Sequence, residues 1–305
     1  MPSRPASPFT SFGALLLAMI AFQCGAALAK QLFPVMGAQG ATAMRLGLGA
    51  LVLWCIRRPW RRLAGRDGWG WLWAYGLTLG SMNLCFYMSL RTIPLGVAIA
   101  LEFVGPLSIA LGGSRHLRDF FWVGLVLFGL ALLLPWQASA RSLDPVGVLY
   151  AMGSATGWAA YILVGRRAGA AFGNDTVALG SAIGALVAVP VGVAHAGAAL
   201  LTPAALPFAL GVAVLSSALP YSLEMYALTR LPARTLGILM SAEPALGALL
   251  GLALLGEHLS APQWLAIAAI VAASVGTVLG ARSAPVEIMQ MAEPAPPSER
   301  GSRPQ

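Results

Sequence analysis

Charged residues are scarce in this chain of 305 residues, because Asp, Glu, Lys and Arg together make up only 10% of it. A soluble globular protein carries about 25% charged residues, which it needs to cover its surface. Hydrophobic residues make up 58% of the chain, and apolar runs of roughly twenty residues recur along most of its length. A run of that length crosses a hydrocarbon core of about 30 Å as an α-helix. The sequence therefore excludes a soluble fold and predicts a membrane protein that crosses the bilayer many times.

The side chains that most enzymes use are also scarce or poorly placed. The chain has three cysteines without metal-ligand spacing, and its three histidines and four aspartates all fall in gaps between apolar runs. No Gly-x-Ser-x-Gly, His-Glu-x-x-His or phosphate-binding glycine loop occurs. Because no histidine or aspartate lies within a run, the sequence predicts no enzyme, no cofactor and no metal site. It also lacks a nucleotide-binding motif through which ATP could serve as an energy source.

Ten apolar runs are separated by gaps that contain proline or charged residues. The fold class that this pattern predicts is an all-α integral membrane protein with ten transmembrane helices. The runs are 11–29, 39–56, 69–88, 93–112, 120–136, 146–164, 176–194, 206–227, 235–254 and 263–281. Beyond Arg282, proline alternates with Ser, Glu and Arg, which predicts a disordered tail at 282–305.

Basic residues are distributed unequally between the two sets of alternate gaps. Fifteen of the 19 Lys and Arg residues fall in the set that includes both termini, whereas the other set contains only Lys30, Arg91 and Arg141. Cytoplasmic loops carry the excess of basic residues, so we expect cytoplasmic N- and C-termini. Since the net charge of +8 is spread over short gaps and forms no continuous patch, it does not indicate nucleic-acid binding.

Two proline pairs indicate an internal repeat. Pro94 and Pro106 are twelve residues apart, and Pro232 and Pro244 have the same spacing 138 residues further along. Each half then contains five runs, and because five is odd, the second half must enter the membrane inverted relative to the first. Inverted repeats are typical of secondary transporters, whose binding site lies near the midplane between the halves.

A second match supports the same division of the chain. Gly49–Val52 matches Gly184–Val187 at an offset of 135 residues. We therefore predict an N-terminal segment, a five-helix repeat, a linker, a second five-helix repeat and a tail, at 1–10, 11–136, 137–145, 146–281 and 282–305. The N-terminal segment and the tail are expected to be cytoplasmic.

Several segments resemble a known family of membrane transporters. The stretch Ser241–Leu246, continuing through Gly256–Glu257, resembles the EamA repeat of the drug/metabolite transporter superfamily. The segments that resemble the threonine/homoserine exporters within it are Gly25–Lys30, Thr42–Leu46, Leu101–Leu107, Leu223–Met225 and Met240–Leu246. The resemblance covers residues 10–282, and it implies an inner-membrane secondary transporter that exports small amino acids such as threonine and homoserine.

The resemblance leaves alternatives open. An EamA-type exporter of another metabolite, such as an aromatic amino acid or a drug-like cation, would share these motifs. A non-transporting accessory membrane protein and a membrane-embedded enzyme are more distant alternatives. The first half also departs from the family, having Ser114–Arg115 where the second half has Gly256–Glu257. No role is therefore carried over to a first-half equivalent of Glu257, which itself is expected at an outer helix end where water screens its charge.

Glu102 and Glu243 are the sharpest candidates for a binding site. Each lies about eight residues into its run, near the bilayer midplane, where a charge costs roughly 2.5–3.5 kcal/mol on insertion scales. Alignment by the prolines puts Glu102 opposite Met240 and Glu243 opposite Gly105. The two carboxylates are thus one helical turn apart in the frame of the repeat. A protonated glutamate that only hydrogen-bonds between helices is the structural alternative at each position.

Proline follows both glutamates, and we expect Pro106 and Pro244 to break their helices and free backbone carbonyls. The predicted site then binds the ammonium group of a cargo or a coupling proton. Glu243 is the first choice because Pro244 directly follows it, and Glu102 is the second. Carboxylates are the only titratable acids at this depth, so proton antiport is the predicted coupling, with sodium coupling left open.

Further polar residues within the runs are secondary candidates. Arg45 binds a substrate carboxylate through its guanidinium fork, or extends outward to the membrane surface, or neutralises a glutamate, and the sequence leaves these three roles open. Glu224 either pairs with a nearby arginine or guards the cytoplasmic entrance. Asn83, Trp158 and Tyr221 are plausible linings of the cavity. The predicted partners are therefore a small amino acid, a proton and the lipid bilayer.

Glycine pairs four residues apart occur at Gly76/Gly80, Gly153/Gly157, Gly180/Gly184 and Gly247/Gly251. Small residues at this spacing let helix backbones approach closely. We interpret these pairs as packing sites inside the bundle and not as a dimer interface, so the predicted function requires no oligomer.

Overall fold

The computed structural model describes residues 8–62, 67–112, 117–133, 143–220, 223 and 239–280. Within these ranges the chain is helical and contains no β-strand. The α-helices whose bounds are described are α1 (Pro8–Gln31), α2 (Phe33–Arg57), α3 (Trp69–Ser89), α4 (Leu95–Gly112), α5 (Leu117–Leu133), α6 (Pro145–Phe172), α7 (Thr176–Ala196), α8 (Ala205–Ala213), α9 (Glu243–Leu255) and α10 (Ala261–Gly280). Short 3₁₀ segments lie at Pro59–Arg62, Gly173–Asp175 and Gly197–Leu201. The predicted tail at 282–305 lies outside the described residues.

The described helices follow the predicted apolar runs. The main differences are α6, which continues to Phe172 although its run was expected to end at residue 164, and α9, which begins at Glu243 after a turn although its run was expected to begin at residue 235. Four of the described segments are long and apolar enough to cross a membrane, namely Thr10–Gln31, Phe33–Arg57, Pro145–Phe172 and Thr176–Leu201. Large apolar side chains such as Leu51 and Leu149 are 60% and 72% exposed on the bundle surface. Such a surface suits contact with lipid tails and not with water.

The start of α6 shows how local sequence positions a helix. Asp144 is its N-cap, and the carboxylate accepts hydrogen bonds from the N–H groups of Val146 at 3.2 Å and Gly147 at 3.3 Å. Pro145 suits the first helical position because its fixed φ is already helical. A hydrogen bond from the Thr92 side chain, together with these N–H groups, holds the pKa of the Asp144 carboxyl below its ordinary value. The carboxylate thereby ties the start of α6 to the segment between α3 and α4.

The helix α4 lies at the centre of the core. Its residues from Leu95 to Leu101 are at most 3% exposed wherever they are hydrophobic. A helix that is apolar on all sides is buried on all sides. It packs against α6 and α10 and crosses α9, with Gly96 against Ala248 and Gly247 against Ile99. These contacts run in opposite directions along the two helices, so α4 and α9 are antiparallel.

The other helices pack in pairs around this centre. The helix α2 packs along α7, α3 packs against both α6 and α7, α5 packs against α10, and α1 packs against α8 and α9. A Cβ atom at Gly80 would lie 2.6 Å from the carbonyl oxygen of Gly184, and one at Gly184 would lie 3.2 Å from the carbonyl oxygen of Gly76. The glycine pairs therefore pack inside the bundle, which confirms the prediction for α3 and α7.

Two helices depart from regular geometry. Gly37 interrupts α2 with φ of 70° and ψ of 173°, a conformation that glycine adopts without strain. The helix α8 passes directly into a π-helix at Val214–Ala218. A π turn holds an extra residue and is frequent at functional sites.

One contact joins three helix ends on the side of the bundle that contains Lys30, in the last turn of α1. Lys30 Nζ lies 2.5 Å from Glu257 Oε1, while Glu257 Oε2 accepts the N–H of Leu95 at 2.7 Å. The side chains of Lys30 and Glu257 are only 24% and 13% exposed. The expectation that water screens the charge of Glu257 is therefore wrong. The segment after α9 directs the carboxylate to the end of α1 and the start of α4.

The close approach of α3 and α7 yields a packing prediction. Replacing Gly80 with Leu should lower the free energy of unfolding by about 1–3 kcal/mol, because backbone atoms of α7 cannot move aside for a new side chain. The thermal midpoint of the detergent-purified protein measures this effect. Gly124→Leu is the matched control, since nothing lies within 4 Å of a Cβ atom there. Equal midpoints for the two variants would contradict the packing argument.

Candidate functional site

The guanidinium of Arg45 lies inside the bundle and is 3% exposed. Its Nε donates to Ser216 Oγ at 2.8 Å, one terminal nitrogen donates to the carbonyl oxygen of Ser216 at 3.2 Å, and the other donates to Asn83 Oδ1. The rings of Phe22 and Tyr87 lie with their centroids 5.3 and 5.4 Å from the guanidinium carbon. Arg45 therefore does not extend to the membrane surface, which excludes one of its three expected roles.

Two neighbouring helices hold the acceptors of Arg45 in place. Asn83 on α3 donates its side-chain N–H to the carbonyl oxygen of Leu79 at 2.9 Å, which leaves Oδ1 directed at the guanidinium. Ser216 lies in the π-helix and donates its hydroxyl to the carbonyl oxygen of Val212 at 2.6 Å. A Cβ atom at Gly25 of α1 would lie 2.7 Å from Cβ of Ser216, so glycine is needed for this approach.

Glu102 forms the second polar centre of the interior. Its Oε1 accepts the hydroxyl of Ser154 on α6 at 2.5 Å, and Ser154 is fully buried. The same hydroxyl lies 3.0 Å from the carbonyl oxygen of Met82 on α3. Phe103, the next residue of α4, packs edge-on against Trp158 with ring centroids 5.7 Å apart. Trp158 thus packs beside the residue that follows Glu102.

Arg45 and Glu102 attract each other without forming a contact. The positive charge of Arg45 acts on the Glu102 carboxylate, yet in the part of the chain that the structure describes no N–O distance of 4.0 Å or less joins the two side chains. Three of the five guanidinium N–H groups are used by Asn83 and Ser216. The interior therefore holds two opposite charges apart, with donors on one side and a carboxylate on the other.

The two prolines behave differently from each other. The helix α4 continues through Pro106 to Gly112, so the expected break at Pro106 is wrong. The missing N–H of Pro106 still leaves the carbonyl of Glu102, four residues earlier, without its helical donor. Pro244 is the second residue of α9, and this helix begins directly after a turn at Ser241–Ala242.

Glu243 is the first residue of α9 and is partly buried. The apolar contacts around this helix start come from Leu15 and Met19 of α1. Ser241 forms a hydroxyl–hydroxyl hydrogen bond of 2.7 Å with Ser274 of α10. The structure therefore brings Arg45 together with Asn83 and Glu102 together with Ser154, while the residues around the start of α9 contact α1 and α10.

Some candidate residues fall outside this comparison, and others were missed. Glu224 and Tyr221 lie outside the described residues. Ser154 and Ser216 were not singled out from the sequence, although each is a hydroxyl within an otherwise apolar run. Within the described residues, no group of three or more His, Cys, Asp or Glu side chains is placed to hold a metal ion.

Known proteins resemble this chain along most of its length. The model of the EamA-like transporter family matches residues 145–279. The threonine/homoserine exporter RhtA of Salmonella typhimurium strain LT2 is 53% identical over 271 residues, which cover 89% of this chain and 92% of that exporter. The chain belongs to the EamA-like transporter family. The threonine/homoserine exporter RhtA of Escherichia coli strain K12 is 52% identical over 88% of this chain and 91% of its own length.

Membership of the EamA-like transporter family establishes a multi-pass membrane transporter and no enzyme. A protein of known crystal structure aligns with a TM-score of 0.53 and 23% identity, covering 88% of this chain and 97% of that chain. This likeness concerns the fold alone. The EamA-like assignment confirms the resemblance seen in Ser241–Leu246 and the prediction of transport.

The environment of Arg45 yields a stability prediction for this EamA-like transporter. Asn83→Leu should lower the free energy of unfolding by about 1–3 kcal/mol, because a buried guanidinium N–H loses its acceptor. Thr78→Val is the matched control on the same helix, since Thr78 bonds only to the carbonyl oxygen of Ala74 in its own helix at 2.7 Å. Thermal unfolding in detergent measures both variants. A midpoint for Asn83→Leu equal to that of Thr78→Val would show that the Arg45–Asn83 bond contributes nothing.

Proposed function

We propose that the chain is a secondary transporter of the bacterial inner membrane that exports small amino acids such as threonine and homoserine in exchange for protons. The names of its relatives support this cargo, because 53% identity extends over 89% of the chain. The two separated charges of Arg45 and Glu102 carry the proposal at the level of the site. Threonine and homoserine are zwitterions, with a carboxylate and an ammonium group close together.

Each end of a zwitterion finds a complementary group in this site. The two guanidinium N–H groups of Arg45 without a described acceptor provide donors for the cargo carboxylate. The Glu102 carboxylate, and the backbone carbonyl of Glu102 that lacks its helical N–H donor, provide acceptors for the ammonium group. A bound zwitterion thus bridges two charges that the protein itself does not pair.

Glu102 is preferred over Glu243 as the ammonium-binding group. Glu102 bonds to the fully buried Ser154 and interacts electrostatically with Arg45, which provides the opposite charge that a zwitterion needs. The antiparallel crossing of α4 and α9 supports a similar depth for both carboxylates, because Gly247 lies level with Ile99. We therefore propose that Glu243 lies near the cargo site without contacting the cargo, and that it serves as a second proton acceptor.

Competition for one carboxylate explains the coupling. A proton that reaches Glu102 from the outside neutralises the charge that holds the ammonium group, and the cargo is released. Cargo that binds from the cytoplasm displaces that proton inward. One group that binds either partner, but not both, is sufficient for antiport.

The packing supports two inverted five-helix repeats as the frame for this cycle. The pairs α2–α7, α4–α9 and α5–α10 would be equivalent helices in the two halves, and each pair is in contact. The contact of α3 with α6 also has a counterpart in that of α1 with α8. We propose that both termini face the cytoplasm, which places Lys30, Arg91 and Glu257 on the outer side.

Removal of either charge should reduce transport. Glu102→Gln keeps the size of the side chain but loses the charge-assisted hydrogen bond to the ammonium group, which costs about 1.5–3 kcal/mol, or roughly 10- to 150-fold in affinity. Arg45→Gln should weaken cargo binding similarly through the carboxylate. Threonine efflux from reconstituted vesicles with an imposed pH gradient measures both. Arg91→Gln is the control, because Arg91 is exposed outside the interior site.

Wild-type rates with unchanged pH dependence in Glu102→Gln would reject its proposed role. A panel of threonine, homoserine, tryptophan and a drug-like cation in the same vesicles tests the cargo. Transport of tryptophan or the cation, but not of threonine, would favour the alternative members of the family.

The proposed orientation is tested by single cysteines in a background without Cys24, Cys55 and Cys85. Ser260→Cys should react with a membrane-impermeant thiol reagent in intact cells, because it lies beside Glu257 on the outer side. Arg61→Cys should be protected until the membrane is opened, because Arg61 belongs to the arginine-rich gap after α2. The opposite labelling pattern would invert the topology.

A further inference from the structure

The outer ends of three helices meet at a single carboxylate. Glu257 follows α9, its Oε2 accepts the first N–H of α4 at Leu95, and its Oε1 pairs with Lys30 at the end of α1. Lys30 Nζ also lies 3.5 Å from the carbonyl oxygen of Ile93, just before α4. The N–H of Glu257 donates to the carbonyl oxygen of Gly251 at 3.1 Å, which folds the segment back over α9.

The electrostatics of these ends make Lys30 necessary for the arrangement. A carboxylate is favoured at the N-terminus of α4 but disfavoured at the C-terminus of α9, where the backbone carbonyls concentrate negative charge. A Cβ atom at Gly251 would lie 2.6 Å from Glu257 Oε2, so the carboxylate is pressed against that last turn. The ammonium group of Lys30 offsets this repulsion, and it does so only while the end of α1 stays beside α4.

A closed layer of apolar side chains surrounds this contact. Leu90, Ile93, Leu95 and Val97 are at most 1% exposed. Glu102 lies seven residues further along α4, about 10 Å deeper at 1.5 Å per residue. A cargo that leaves the interior toward the outside must therefore separate α1 from α4 and open this layer.

An open cavity lies directly beside the contact. It has a volume of about 700 Å³, and its lining includes Lys30, Phe33, Arg91 and His195. Gly37, where α2 is interrupted, also lines it. Lys30 thus stands between an outer cavity and the closed apolar layer.

We infer that Lys30 and Glu257 form the outer gate of the transport path, and that their separation accompanies the release of cargo to the outside. The inference rests on the proposed transport function and orientation. Both residues are positioning residues, because they act on α1 and α4 and not on the cargo. Loss of either charge shifts the protein toward the state that is open to the outside.

A cysteine in place of Ser154 reports on this opening without any cargo. Ser154 is fully buried and its hydroxyl bonds to Glu102 Oε1 at 2.5 Å, so position 154 lies at the closed interior site. With Cys24, Cys55 and Cys85 replaced by Ser, labelling of Ser154→Cys by an impermeant thiol reagent is followed in right-side-out and inside-out vesicles. In Lys30→Met and Glu257→Gln, we expect outside labelling to rise about tenfold, which corresponds to about 1.4 kcal/mol, and inside labelling to fall.

The opposite changes on the two sides distinguish a gate from a loss of stability. A merely loosened protein labels faster from both sides, and that result would overturn the inference, as would unchanged labelling. The double variant should label like either single variant, because the two charges act as one pair, whereas additive effects would contradict the pairing. Glu257→Gln retains an acceptor for the Leu95 N–H, so it tests the charge apart from the helix cap.

Two further comparisons complete the test. Arg91→Gln removes a positive charge from the same cavity without touching the pair, and it should label like the parent protein. Vesicles that transport no threonine but still show the opposite labelling changes would reject the proposed cargo and leave the gate intact. Normal threonine efflux with unchanged labelling would reject the gate alone.

Discussion

The burial of the Arg45 guanidinium is the constraint on which the interior of this bundle depends. A charge inside a membrane protein is unfavourable unless neighbouring groups replace the water that it loses. Here neutral acceptors on α3 and in the π-helix that follows α8, together with two aromatic faces, supply that replacement. The approach of α8 in turn requires the glycine at position 25 of α1 and the widened turn around Ser216. The relative positions of four helices therefore depend on the hydrogen bonds and ring contacts that the buried Arg45 side chain requires.

The two charges of the interior are supported very differently. Arg45 bonds to two residues on two helices and contacts two rings, whereas the Glu102 carboxylate has one described hydrogen bond, to Ser154. A rigid positive end and a less constrained negative end suit a site in which the carboxylate of the cargo is fixed and its ammonium group is exchanged for a proton.

Much of the fold could be predicted from the sequence, because apolar runs and glycine spacing are local signals. The described helices follow the predicted runs, and Gly80 and Gly184 pack as expected. The path of α4 through Pro106 could not be predicted, because packing against α6 and α9 stabilises the helix despite one lost bond. The partners of Glu257 and Arg45 also could not be predicted from the sequence. Glu257 is 227 residues from Lys30 in the chain, and Arg45 is 171 residues from Ser216. Local sequence patterns predict where a helix lies in the chain, whereas contacts between distant side chains depend on how the helices pack.

The position of both charges in the first half of the chain has a consequence for the path of the cargo. Two inverted halves are related by a two-fold axis, and a site built equally from both would look the same from either side of the membrane. In the proposed repeat, Glu102 is equivalent to Met240, and Arg45 is equivalent to Gly180 at the offset of 135 residues, so neither charge has a copy at the equivalent position. The proposed site is therefore asymmetric, although the proposed repeats around it are related by symmetry. In the proposed cycle, a bound amino acid would keep its direction relative to the helices as the two ends of the bundle exchange roles, and it would leave the membrane without having been turned over.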